Sequence, residues 1–188
     1  MSLTVKDLEK LQKQAPDYRM ELVNGSIRVT SPSGYESDEV AFRFGRRLAD
    51  WVEPQRIGRV TGSSAGFTLP DSNTRAPAVS FVRAERLRRA PRSFAQLAPD
   101  LMVEVKSPTD SLEDLEQKIN NFLQQGTRVG ILINPETHLV TVFRPDTEAI
   151  QFTDGDVLTV PDLLPGWQVQ ISDLWSPVFN EFEDQEAK

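Results

Sequence analysis

The chain has 188 residues, 38% of them apolar, and a formal charge of −7, which fits one domain with a sizeable core and excludes global disorder. With no cysteine and a single histidine, thiol catalysis, cysteine-based zinc sites, disulfide scaffolds and a Ser-His-Asp triad fall away. No apolar run reaches the ~18 residues of a membrane span, the first residues lack a secretory apolar segment, and the acidic balance opposes a module that merely coats nucleic acid, so a cytoplasmic protein without a membrane partner is expected.

Thr4 with Asp7 three residues on has the form of a capping box, and Leu8 and Leu11 add a short apolar stripe, so a surface helix opens the chain. Residues 18–23 and 26–30 flank Asn24-Gly25, the pair that suits a type I′ turn, and read as a hairpin. A helix is expected over about 37–53, with Val40, Phe44, Leu48 and Trp51 or Val52 on one face. Short strands follow at 58–62 and 66–69, then one at 76–82 entered through Pro77, which cannot donate to a ladder. Residues 100–106 (DLMVEVK) form a strand by β-branched content, and 107–110 turn it into a helix. That helix carries Leu112, Leu115, Ile119, Phe122 and Leu123 as a stripe and is closed by Gly126. Residues 129–134 are apolar throughout, as in a central strand, and 138–144 alternate like a half-exposed one. Asp154-Gly155 marks a turn, and 163–175 hold a short strand and a last helical turn. The order predicts an α/β fold, a mixed central sheet flanked by helices. It forms a single domain over 1–178, and the acidic tail 179–188 is expected to be disordered.

Glu104-Val105-Lys106 is the first candidate for chemistry. Residues two apart on a strand share a face, roughly 6.6 Å apart, so carboxylate and ammonium point the same way. Glu could hold a divalent cation while Lys orients or deprotonates water, and the same pair could equally be an ion pair contributing ~0–1 kcal/mol. Arg83, Arg86, Arg88, Arg89 and Arg92 cluster in ten residues, and Arg43, Arg46 and Arg47 lie on the long helix. Both groups suit a phosphate-positioning stripe beside an active site, or a solvated face. His138 reads as a solvated or hydrogen-bonded histidine, and Trp51, Trp167 and Trp175 as core or interface residues. Residues 62–66 (GSSAG) lack the lysine and helix of a P-loop.

In order, several strings resemble the Uma-two family of the PD-(D/E)xK nuclease superfamily. They are residues 18–25 (YRMELVNG), Ser31-Pro32, 66–70 (GFTLP), 75–83 (RAPAVSFVR) and 98–108 (APDLMVEVKSP). They continue with 117–119 (QKI), 122–126 (FLQQG), 131–135 (ILINP), 141–145 (TVFRP) and 164–175 (LPGWQVQISDLW), so the resemblance covers about 4–177. It implies a restriction-endonuclease-like fold with five to six strands in its mixed sheet, and Mg²⁺- or Mn²⁺-dependent phosphodiester hydrolysis in DNA. It implies that Glu104 and Glu21 hold metal, that the Val105 carbonyl completes that side of the shell, and that Lys106 is the catalytic lysine. Gln117 or Lys118 matches a polar position on the helix facing the site.

One position departs from the family. Its string Ala-Pro-Asp-Val-Ser-Phe-Val stands here with Ala78 in place of the metal-binding Asp. Metal affinity is therefore expected to be weak or lost, and cleavage impaired. Asp100 cannot substitute from the same strand, four residues or about 13 Å from Glu104, since two oxygens on one Mg²⁺ lie within ~4.2 Å. Asp71, in a loop, is another possible donor. DNA is the expected partner, through the arginine patches, and a homodimer is expected. Two rivals stand beside the nuclease reading: a non-catalytic DNA- or protein-binding relative, and a structural homodimer. The family order predicts Ala78 beside Glu104 on a neighbouring strand. It also predicts that convergence of Glu21 and Glu104 raises the pKa of at least one, tempered by Lys106.

Overall fold

The computed structural model describes residues 2–179; apart from the exposed Phe179, the expected tail lies outside the described residues. Helix α1 (Val5–Gln14) opens with the predicted box. Thr4 accepts from the Asp7 amide, and the Asp7 carboxylate accepts from the Thr4 amide at 2.8 Å. Strands β1 (Arg19–Val23) and β2 (Ser26–Thr30) are joined through Asn24 and Gly25, with φ of 49° and 71°. Both are positive, as a type I′ turn requires. Helix α2 (Tyr35–Gln55) exceeds the expected 37–53 at both ends and stops at Arg56, which takes the left-handed conformation.

Next come β3 (Gly58–Gly62), β4 (Phe67–Thr68), β5 (Thr74–Arg75), β6 (Val79–Arg83) and β7 (Leu101–Val105). Helix α3 (Leu112–Gln124), whose first turn is capped by the Ser111 hydroxyl, leads to β8 (Val129–Asn134) and β9 (Leu139–Phe143). Short strands β10 (Ile150–Phe152), β11 (Val157–Thr159) and β12 (Gln168–Gln170) precede a 3₁₀ turn, Ile171–Leu174. The main sheet has the order β10-β9-β8-β7-β6-β3, and only β7 and β8 run parallel within it. A parallel pair needs a crossover, and α3 provides it. The first hairpin belongs to a second sheet of order β2-β1-β5-β4.

Two differences from expectation have local causes. The strand expected at 76–82 starts only at Val79, because the Ala76 amide and carbonyl are engaged by side chains and Pro77 has no N–H. Strands β5, β10 and β11 carry no sequence signal of their own, since two or three residues are too few to establish a period.

Side-chain alternation divides the core between the faces of the main sheet. Leu101, Val103 and Val105 of β7 join Val40, Phe44, Leu48 and Val52 of α2 in one cluster. Met102 joins Ile119 and Phe122 of α3 in the other. Glu104 shares the parity of Met102 and therefore lies on the α3 face. Gly130 lets α3 press onto β8, since a Cβ there would collide with the Ile119 side chain. That contact seats the helix and, next to Ile119, the side chain of Lys118.

Candidate active site

The sheets meet at a cleft of about 640 Å³ lined by Glu21, Arg75, Ala78, Glu104 and Lys118 among others. Val79 pairs with Val103 in the antiparallel β6–β7 ladder, and one further step of that register sets Ala78 opposite Glu104. Leu22 pairs with Thr74 in the β1–β5 ladder, which in the same way sets Arg75 opposite Glu21. Arg75 Nε donates to Glu21 Oε2 at 3.0 Å, and the Ala76 amide donates to Glu21 Oε1 at 2.9 Å.

Lys118 lies at the centre. Its Nζ lies 2.8 Å from Glu104 Oε1 and 3.3 Å from Glu21 Oε1, and it donates to the Ala76 carbonyl at 2.9 Å. At that distance the ammonium and Glu104 Oε1 form a buried ion pair. Burial pushes the Glu104 carboxyl above the usual glutamate range. Lys118 offsets this only in part, and the neighbouring Glu21 adds to the rise. Burial also acts to raise Glu21, but Lys118, Arg75 and the Ala76 amide together outweigh it and hold Glu21 below its ordinary value. The expected convergence of Glu21 and Glu104 is present, with Lys118 in the tempering role assigned to Lys106.

Lys106 is directed elsewhere. Its Nζ pairs with Glu136 Oε2 at 2.8 Å. Glu136 follows β8, on the opposite side of β7 from β6 and Ala78. The Lys106 carbonyl accepts from the Ser37 hydroxyl, which ties the end of β7 to α2. Gln117 is exposed, whereas Lys118 is buried. The sequence held the means to choose between them. At 100° per residue, Lys118 falls about 40° from Phe122, at the edge of the arc spanned by Leu115, Ile119 and Phe122, and Gln117 falls on the opposite side. Nothing local to Arg75 in the sequence reports its cross-strand partner Glu21.

The arginine patches need correction. Arg83 ends β6, five residues from Ala78 and so roughly 16 Å along the strand. Arg83 pairs with Glu85 and Arg86 with Asp100, while Arg88 is held through its carbonyl by Arg59. The group at 83–92 therefore starts at the far end of the sheet from Glu104. On α2, Arg43 and Arg47 pair with Glu39 and Asp173, and Arg46 lines a groove that reaches Ala78. Asp71 accepts from Asn73 and Asn121, which holds it in the β4–β5 turn. His138 hydrogen-bonds Asp154 at 3.1 Å and stacks on Trp175 at 4.6 Å, in keeping with a hydrogen-bonded histidine.

The donor set does not fit a hard divalent cation. Among the described residues no three His, Cys, Asp or Glu side chains are grouped to share a metal ion. Glu21 and Glu104 face two cations, Arg75 and Lys118, so this cluster keeps no net negative charge to draw in a third. In addition, no helix among the described residues is long and apolar enough to cross a membrane.

A family model described as "Uma2: Putative restriction endonuclease" matches residues 5–172. A crystal structure described as a putative nuclease belonging to DUF820, from Anabaena variabilis, matches with a TM-score of 0.80 and 25% identity, covering 92% of this chain and 97% of that one. A cryo-EM structure described as a DrdV–DNA complex reaches a TM-score of only 0.34 at 14% identity, over 61% of this chain and 12% of that one, below a shared fold. No curated protein matches the sequence.

Proposed function

The chain belongs to the Uma2 family of putative restriction endonucleases, and we propose that it is a DNA-directed phosphodiesterase of nuclease fold whose metal-dependent cleavage is impaired at one position, Ala78. The observation that carries this reading is the β6–β7 register. It puts a methyl group opposite Glu104, where the family string has an Asp. Glu21 and Glu104 would be the retained acids, and Lys118 the cation that neutralises them. A carboxylate at Ala78 would give the cluster around Lys118 three acids against two cations, restoring the net negative charge that a hard ion needs.

The same geometry supports a second reading, a non-catalytic nucleic-acid- or protein-binding relative. A cluster that is already charge-balanced can persist without metal. Calorimetry with Mn²⁺ and plasmid nicking on the native chain, Ala78→Asp, and Ala78→Asp combined with Glu104→Gln separate the two. Under the nuclease reading, Ala78→Asp gains metal affinity and nicking, and Glu104→Gln abolishes both, because an assembled site acts as a unit. If Ala78→Asp improves neither, the non-catalytic reading replaces it.

A further inference from the structure

One stripe of α2 faces away from the core. The helix buries Val40, Phe44, Leu48 and Val52 against the main sheet. At 100° per residue, Tyr35, Asp38, Phe42, Arg46 and Ala49 fall together about 140° from that buried face. Phe42 is 67% exposed and Tyr35 88%, so two large rings stand in water on one side of one helix. Beside Phe42 runs an apolar groove of about 390 Å³, walled by Ala41, Gly45 and Ala49 of α2 and by Val60, Ala78 and Val79 of the sheet. Strand β3 ends the main sheet there, so its outer edge has no neighbouring strand.

The order of side chains along this stripe is self-complementary. Counting from Phe42, Asp38 lies four residues back and Arg46 four residues on, about 6 Å either way along the axis. Tyr35 and Ala49 stand seven residues back and seven on. An antiparallel copy of α2 centred on Phe42 therefore sets each Asp38 against the other chain's Arg46, and each Tyr35 against the other's Ala49. Acid meets base, and a large side chain meets a small one. Arg43 and Arg47 of the same helix pair with Glu39 and Asp173. Asp38 and Arg46, in contrast, have no ion-pair partner among the described residues. We propose that this face is the contact between two copies of the chain, related by a two-fold axis at Phe42, with each Phe42 ring seated in the small-residue groove of the other copy. A stretch that matches itself in charge and in size when reversed is what a two-fold contact requires. Nucleic acid fits this face less well, since Asp38 and Glu39 stand between the two rings and repel a phosphate backbone. The contact does not depend on any cleavage chemistry at Glu104.

The test is analytical ultracentrifugation of the full chain with no metal or DNA added. The native chain is expected to sediment as a dimer at micromolar concentration, and Phe42→Asp to weaken that dimer at least about tenfold. Asp38→Arg alone places arginine against arginine at both ends of the contact, and Arg46→Asp alone places acid against acid. Each variant by itself should therefore be monomeric. Mixed in equal amounts, the two should re-form a dimer of one copy each, since each then carries the charge that the other lacks. Asp38, Phe42 and Arg46 are all exposed, so unchanged circular dichroism and melting temperature are expected for the variants as monomers. A native chain still monomeric at about 100 μM overturns the proposal. So does a dimer indifferent to Phe42→Asp, or a mixture of the two charge variants that stays monomeric. Loss of single-stranded DNA binding in Phe42→Asp, with no change in mass, would assign the face to nucleic acid and equally overturn it. The mass measurements use neither Mn²⁺ nor Ala78→Asp, so this result and the nicking result can fail independently.

Discussion

Two buried acids bracket β7, and the chain treats them in opposite ways. Asp100, just before the strand, accepts from the Arg83 amide at 2.9 Å and pairs with Arg86 Nη1 at 2.9 Å, so each carboxylate oxygen has a partner. Its carbonyl also receives the Arg128 and Val129 amides, which locks the start of β7 to the start of β8. Glu104, at the other end, shares one lysine with Glu21. An acid with a partner on each oxygen makes a clamp, whereas an acid that shares its cation with a second acid beside a cleft keeps a perturbed carboxyl. Both acids belong to the same short string, and only their partners separate the two roles.

The largest expected effect tests the clamp. Asp100→Asn strands the Arg86 charge and should cost about 2–3 kcal/mol in denaturant unfolding. Glu104→Gln should change stability by less than about 1 kcal/mol at neutral pH, because losing the Lys118 pair is offset by relief of a buried charge beside Glu21. Equal costs for the two substitutions would erase the contrast.

A pH series sharpens it. The Glu104 carboxyl is held above its ordinary value, so the native chain should lose stability relative to Glu104→Gln as pH rises through that raised value. Below the ordinary glutamate range the difference should be flat. Glu21, held below its ordinary value, acts with the opposite sign: its contribution is present at neutral pH and lost as pH falls. Denaturant midpoints of the native chain, Glu104→Gln and Glu21→Gln across this window check both signs. The smallest effect belongs to the third charged residue of the string. Lys106 pairs with an exposed Glu136, so Lys106→Ala should cost under about 1 kcal/mol and leave Mn²⁺ affinity unchanged.

Much was legible in the sequence because it is local. The capping box at Thr4, the Asn24-Gly25 turn, the apolar stripe of α3 and the uniform apolarity of β8 each follow from neighbours a few residues apart, where propensity and period speak directly. The β-α-β unit around Glu104 follows from these, as does the exclusion of Asp100 from the Glu104 site, since strand rise alone separates them.

What only the tertiary structure decided is which charges meet. Glu21 and Glu104 are 83 positions apart, and their approach depends on how a second sheet docks against the first. The choice of Lys118 over Lys106 at the acids, and the placement of Arg83 and Arg86 beside Asp100 at the far end of β7, are facts of strand order and direction. No local pattern encodes them, because a charged side chain several ångströms long takes its partner from whichever element folding brings within reach.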